Sequence, residues 1–299
     1  MKQIEQFAPD WEEKRAVDGV VNVLQAAGIK PNAPKKKDED GKDPLPEATY
    51  LLFLSAHQIR RVAEYVVEND GAKPSKKEAA KLLDQEHSVD IAMFGRMVAD
   101  APDYNVDAAV QVAHALGVSP AEPEFDYYTA VDDAVEDAEE TGAGMIGTVQ
   151  MMSSTLYRYA TVNLAQLEEN LASREAAAEA VAAFVQSFIT SMPTGKQNSY
   201  ANRTMPEAVV VSVRNDRPIS LVNAFEEPVE ASTSRSRRQE AATRLATEAK
   251  NVTETYSAPA VRTWVLALAD VREALQELGE SVTKDELVEQ LTGLLHGEA

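Results

Sequence analysis

The chain has 299 residues, 44% hydrophobic and 26% charged, and 49 Asp and Glu outweigh 29 Lys and Arg to give a formal net charge of −20. This composition suits a soluble protein of one large or two small domains, and the lack of cysteine excludes disulfide staples and Cys-based zinc sites. No apolar run approaches the roughly 18 residues of a membrane span, and "MKQIEQFAPDWEEK" lacks the apolar stretch of a signal peptide. The expected location is therefore the cytoplasm, with no membrane partner. The field of the whole chain repels nucleic acid, so binding to it requires a local basic groove.

In chain order, residues 10–28 predict an amphipathic helix, with Val17, Val20, Val21 and Leu24 on one stripe and Gly28 as its stop. The stretch "KPNAPKKKDEDGKDPLP", residues 30–46, reads as a loop in which Lys35, Lys36 and Lys37 are solvated. "TYLLFLSAHQIRRVAEYVVEN" starts as a β-like apolar run and turns into a helix. "KPSKKEAAKLLDQEH" predicts a short helix with Ser75 as N-cap and Glu78 completing a capping box. "VDIAMFGRMV" is apolar on both alternating faces, as in a covered central strand.

"NVDAAVQVAHALGV" leans towards strand in its second half. "MIGTVQMMSSTLYRYATVNL" reads as one bent strand or two consecutive ones. "SREAAAEAVAAFVQSFITSM" predicts a helix. "PEAVVVSVRNDRPISLVNAF" predicts two strands joined at Asn215, Asp216 and Pro218. A basic helix "SRSRRQEAATRLATEAK", a strand "VRTWVLALAD" and a closing helix "TKDELVEQLTGLLHG" follow. This order argues for a mixed domain with helical insertions.

Enzymatic signals are sparse. His57, His87, His114 and His296 lie far apart in no metal-ligand spacing, so neither metal nor cofactor is expected. "PTGKQNS" lacks the upstream glycine and following Ser/Thr of a phosphate-binding loop. The acids Asp132, Asp133, Asp137, Glu139 and Glu140 read as a solvated face, as such runs usually are in acidic chains. Two other readings stay open: a metal-dependent RNA nuclease using the acidic run near Asp132, and a helical adaptor that binds only protein.

Four phrases carry a resemblance: "GRM" at 95–97, "TAVDD" at 129–133, "YRYA-x-x-NLAQL-x-ENL" at 157–171 and "GKQ-x-x-YA" at 195–201. In this order they resemble the CasC family, the RNA-binding backbone of the type I-E CRISPR surveillance complex Cascade, most closely over residues 88–230. The resemblance implies an α+β fold: a ferredoxin-like (RRM-like) palm with a helical fingers insertion and a projecting thumb. The implied domains are fingers at 1–87, palm at 88–270 with the thumb at about 119–145, and a C-terminal helical segment at 271–299. The implied role is non-catalytic: copies of the chain form a filament along crRNA, beside other Cascade subunits, and present the guide to target DNA.

Carried over residue by residue, the resemblance places Tyr128 and Thr129 on the thumb at a displaced nucleotide, and Met97 with Arg96 of "GRM" against the kinked RNA. It implies that Lys196 and Arg203 approach RNA or a neighbouring copy, and that Lys76, Lys77 and Lys81 guide duplex DNA. An aromatic face or a thioether stacks on any base, which keeps recognition tolerant of sequence. Family members begin with a strand and a Gly/Arg/Lys-rich stretch ahead of the point that "MKQIEQFAPDWEEK" matches. The expectation is thus a palm incomplete at its N-terminus, with weak RNA binding and an exposed strand edge that encourages self-association.

Overall fold

A computed structural model describes residues 2–32, 45–130 and 145–297. The first helices are α1 (Lys2–Phe7) and α2 (Glu13–Ala26), the latter capped at Ala27, immediately before Gly28. A two-residue antiparallel ladder joins β1 (Pro31–Asn32) to β2 (Glu47–Ala48). The expected strand at "YLLFL" is a correction: Tyr50 lies in a bend, residues 51–54 belong to no strand or helix, and Ser55 caps α3 (Ala56–Glu68) with a complete capping box to Gln58. Helix α4 (Lys76–Leu83) begins at Ser75, whose hydroxyl accepts from the Glu78 amide while Glu78 reaches back to the Ser75 N–H, as its S-x-x-E spacing requires.

"VDIAMF" forms a helix, α5 (Val89–Phe94), and not a strand. A six-residue apolar run fits either element, and here Ile91, Ala92 and Met93 are all buried, so alternation had no meaning. The helix stops at Gly95, whose φ of +77° sits in the left-handed region. A Cβ there would stand 2.7 Å from the Val106 carbonyl oxygen, so the backbones of Arg96 and Val106, which exchange hydrogen bonds, need this glycine.

Short strands follow: β3 (Val110–Val112), β4 (Leu116–Gly117), β5 (Glu124–Ala130), β6 (Met145–Met151), β7 (Leu156–Tyr157) and β8 (Ala160–Val162). They pair β3 with β8, β4 with β7 and β5 with β6. Two further helices are α6 (Leu164–Leu171), capped by Asn163, and α7 (Arg174–Thr190). A single turn, α8 (Gln197–Tyr200), precedes β9 (Ala208–Val213). The second strand expected after "RNDRP" is absent: residues 222–225 form a 3-10 turn, and β9 pairs antiparallel with the distant β10 (Arg262–Ala267) across α9 (Arg237–Thr255). The chain closes with α10 (Ala269–Leu275), β11 (Glu280–Ser281) and α11 (Lys284–His296).

These elements divide into two compact units, residues 1–111, 160–185 and 291–299, and residues 112–159 and 186–290. In the first, α1 to α4 pack around Ile4, Val23, Val62, Val66, Ala79 and Leu83. In the second, the largest sheet among the described residues has three strands in the order β11-β10-β9. Val265 of β10 and Val271 and Leu275 of α10 are its dry centre. The mix of helices and small sheets is an α+β fold. Among the described residues no helix is long and apolar enough to cross a membrane.

Candidate nucleic-acid interface

Each unit carries one surface that the sequence singled out. In the first unit it is built on a buried arginine. Arg96, expected to face RNA, is 5% exposed. Its Nε and one terminal nitrogen donate to the Tyr104 carbonyl at 3.0 and 2.8 Å. The other donors reach the Gln58 Oε1 at 3.2 Å and the Leu83 carbonyl at 3.1 Å, with Asp84 at 3.7 Å. Arg96 therefore works inward: it ties α3, the end of α4 and the 3-10 turn Pro102–Tyr104 to its own segment, which makes an isolated bridge with Val106. Burial holds its guanidinium below the ordinary arginine range, and burial likewise pushes Asp84 up and the neighbouring His87 down.

The fixed segment then turns its next residue out. Met97 is 74% exposed, and Phe94 one turn earlier is 56% exposed, its ring edge-on to Phe184 at 6.3 Å. Two soft apolar groups thus flank Gly95 on a rigid base. On α4, Lys76 lies 3.4 Å from Asp103, while Lys77 and Lys81 are exposed and form no ion pair among the described residues. Ser75 hydrogen bonds hold the Glu78 carboxyl below its ordinary pKa, so this acid remains charged at the N-terminus of the lysine-bearing helix.

In the second unit the surface is the hairpin of β5 and β6. Register places Phe125 opposite Gln150, Tyr127 opposite Thr148, Thr129 opposite Ile146 and Tyr128 opposite Gly147. Side chains alternate along a strand, so Phe125, Tyr127, Thr129 and Ile146 share one face and Tyr128 lies on the other. Every residue of β5 is exposed; Phe125 is 70%, Tyr127 62%, Ile146 60% and Tyr128 41% exposed. Tyr128 is the least exposed of these because its ring lies across the Gly147 backbone. A Cβ on Gly147 would meet the Tyr128 Oη at 2.5 Å and its Cζ at 2.6 Å. The glycine is the seat on which the ring rests. The pair Tyr128 and Thr129, adjacent in sequence, therefore looks in two directions.

The acids from Asp132 to Glu140 lie outside the described residues, as do Lys35, Lys36 and Lys37. Among the described residues no cluster of three or more His, Cys, Asp or Glu has a metal-holding arrangement. Lys196 and Arg203 are exposed in the second unit. Lys196 holds a φ of +60° ahead of α8, and Arg203 reaches the Gln197 side chain at 3.5 Å. The sequence reading missed Phe94, Phe125 and Ile146 as exposed apolar groups, and Gln58 as a partner of Arg96. Alternation in "FDYYT" was the available signal for Phe125.

Comparison with known proteins gives a family and an architecture. The model of the CT1975-like protein family, Cas_CT1975, matches residues 1–291. No curated protein sequence matches. Among solved structures, a chain of a "CRISPR RNA-guided surveillance complex, pre-nicking" is similar at a TM-score of 0.84 and 30% identity, covering 98% of this chain and 82% of that one. A chain of a "CRISPR RNA-guided surveillance complex" is similar at a TM-score of 0.60 and 36% identity, over 68% of this chain and 78% of that one.

Proposed function

The chain belongs to the CT1975-like protein family of CRISPR-associated proteins, and on that premise we propose that it is a non-catalytic, crRNA-binding backbone subunit of a type I-E Cascade complex. The observation that carries the reading is the likeness along 98% of this chain to a subunit of an RNA-guided surveillance complex. The exposed groups agree with it. An aromatic hairpin in one unit and Met97 beside Phe94 in the other offer faces that stack on bases without reading them.

In this reading the hairpin is the thumb, the three-stranded sheet is part of a ferredoxin-like palm, and copies of the chain line the guide as a filament. Tyr128 and Thr129 meet a displaced nucleotide, Met97 packs against the kinked RNA, and Lys196 and Arg203 meet phosphate or the adjoining copy. Lys77 and Lys81, exposed and in no close ion pair among the described residues, are the better placed of the lysines to meet target DNA, although the Lys81 charge also acts on Glu78. Arg96 contributes by holding Met97 outward.

The test is a fluorescence-anisotropy titration of labelled guide RNA with this chain and with Met97→Ala and Tyr128→Ala. An aromatic ring stacked on a base is worth about 1–3 kcal/mol, so Tyr128→Ala should bind about 5- to 150-fold more weakly. Met97→Ala should lose less, since a thioether against an aromatic ring is worth about 0.3–1.5 kcal/mol. Binding that neither substitution changes would sink the proposed contacts, and no binding at all would favour the protein-only adaptor. RNA cleavage in Mg²⁺ that Asp132→Ala abolishes would replace the backbone reading with the nuclease.

A further inference from the structure

We propose that Gly147 is a positioning residue for RNA binding: the side chain it lacks leaves the slot that holds the Tyr128 ring ready for a base. The inference rests on the reading of Tyr128 as an RNA contact, and it gives a role to a residue that acts only through that ring.

The three rings of β5 differ in what stands across the ladder from them. Phe125 faces Gln150 and Tyr127 faces Thr148, both with side chains of their own, whereas Tyr128 faces Gly147. Directly opposed Cβ atoms in an antiparallel pair lie about 4.5–5.5 Å apart, so the side chains of such a pair share one space. At Gly147 that space has no second claimant. The Tyr128 Oη, Cζ and Cε1 lie 2.5, 2.6 and 2.9 Å from the point where a Cβ on Gly147 would stand. Cβ atoms essentially never sit closer than 3.0 Å to such neighbours. The tip of the ring therefore fills volume that any other residue at 147 would take.

A held ring differs from a free one in what binding costs. A side chain that is immobilised only on binding surrenders its rotamer freedom at that moment, and the loss is subtracted from affinity. Tyr128 has already surrendered it in the folded chain, because its tip is lodged over Gly147. Tyr127 and Phe125 are more exposed and have no such slot opposite.

Gly147 serves by the space it leaves and not by backbone freedom. Its φ lies outside the left-handed region that Gly28, Gly71, Gly95 and Gly297 occupy, so an L-residue can adopt the same backbone there. A strand interior is a poor place for glycine unless something else uses the room, and here a ring does. The atoms that would obstruct a methyl at 147 are the far end of one side chain. Gly147→Ala therefore leaves a ladder that can form and a ring that cannot stay where it is.

The experiment is a double-mutant cycle on the full chain. A labelled single-stranded RNA is titrated by fluorescence anisotropy with wild type, Gly147→Ala, Tyr128→Ala and the double variant, and each protein is unfolded in denaturant. Gly147→Ala should bind about 5-fold or more weakly, the low end of the loss of one stacked base, with no drop in its unfolding midpoint. The double variant should bind like Tyr128→Ala alone, since with no ring to displace the added methyl does nothing. Wild-type affinity in Gly147→Ala beside a loss in Tyr128→Ala overturns the positioning role and leaves the Tyr128 contact standing. A loss from Gly147→Ala that is as large without the ring as with it overturns the role too, because the effect then runs through the hairpin and not through Tyr128. So does a lowered unfolding midpoint. A Tyr128→Ala chain that binds as wild type does, or a wild type that does not bind, overturns the proposal together with the contact it rests on.

Discussion

At the scale of single residues, the group around Arg96 makes a fixed platform out of titratable parts. Gln58 donates to the Leu83 carbonyl at 2.8 Å and contacts the His87 Nδ1 at 3.3 Å, while its Oε1 receives Arg96. His87 lies 3.9 Å from Asp84, and burial is the largest cause of its lowered pKa, followed by the charge of Arg96. A histidine that resists protonation when folded, against an ordinary value of 6.5, makes the unfolded chain the better proton acceptor. Stability is therefore full above pH 6.5, falls as pH drops from there through the lower folded value, and levels off beneath it. Asp84 acts in the opposite sense at lower pH: burial raises its pKa from 3.8, so its protonation relieves a cost in the native state. Thermal melts in steps from neutral to mildly acidic pH should show a decline in wild type that His87→Gln flattens. Equal slopes in the two proteins would remove His87 from this account.

At the scale of elements, what the sequence revealed depended on how local the determining physics was. Helices α4, α9 and α11 were legible because caps such as Ser75 with Glu78 and Ser236 with Gln239 act within one turn. The β5–β6 surface was legible as aromatic, but its two-faced arrangement needed the register that sets Tyr128 on Gly147. Helix α5 was misread as a strand, since a short run buried on all sides has no informative period. The partner of β9 was invisible because β10 arrives from beyond a 19-residue helix. Arg96 looked like an RNA ligand since burial of a cation by carbonyls from three separate segments leaves no mark in local sequence. What decides the end of α5 is testable. Gly95→Ala places a methyl 2.7 Å from the Val106 oxygen at a φ of +77°. It should cost about 1–3 kcal/mol in denaturant unfolding, whereas Met97→Ala, at an exposed position, should stay within about 0.5 kcal/mol. A neutral Gly95→Ala would mean that the turn relaxes freely and that Met97 is not held by it.

At the scale of the whole molecule, net charge and the exposed cations lead to a definite salt dependence. The chain carries −20 overall, so long-range attraction for RNA is absent, and affinity must come from contacts. Arg96, the cation nearest Met97, is spent internally on carbonyls and Asp84. Lys196 and Arg203 are the exposed cations assigned to RNA. Each phosphate neutralised on a single strand contributes about −0.7 to the slope of log K against log salt, so two such contacts give about −1.4. Stacking on the aromatic hairpin is insensitive to salt, so Tyr128→Ala should lower affinity and leave that slope unchanged. Arg203→Ala should do the reverse in character, with a modest loss of affinity and a slope shallower by about 0.7. A wild-type slope steeper than about −3 would require more than about four phosphate contacts. It would then place the RNA along a basic surface other than the one that Lys196 and Arg203 supply.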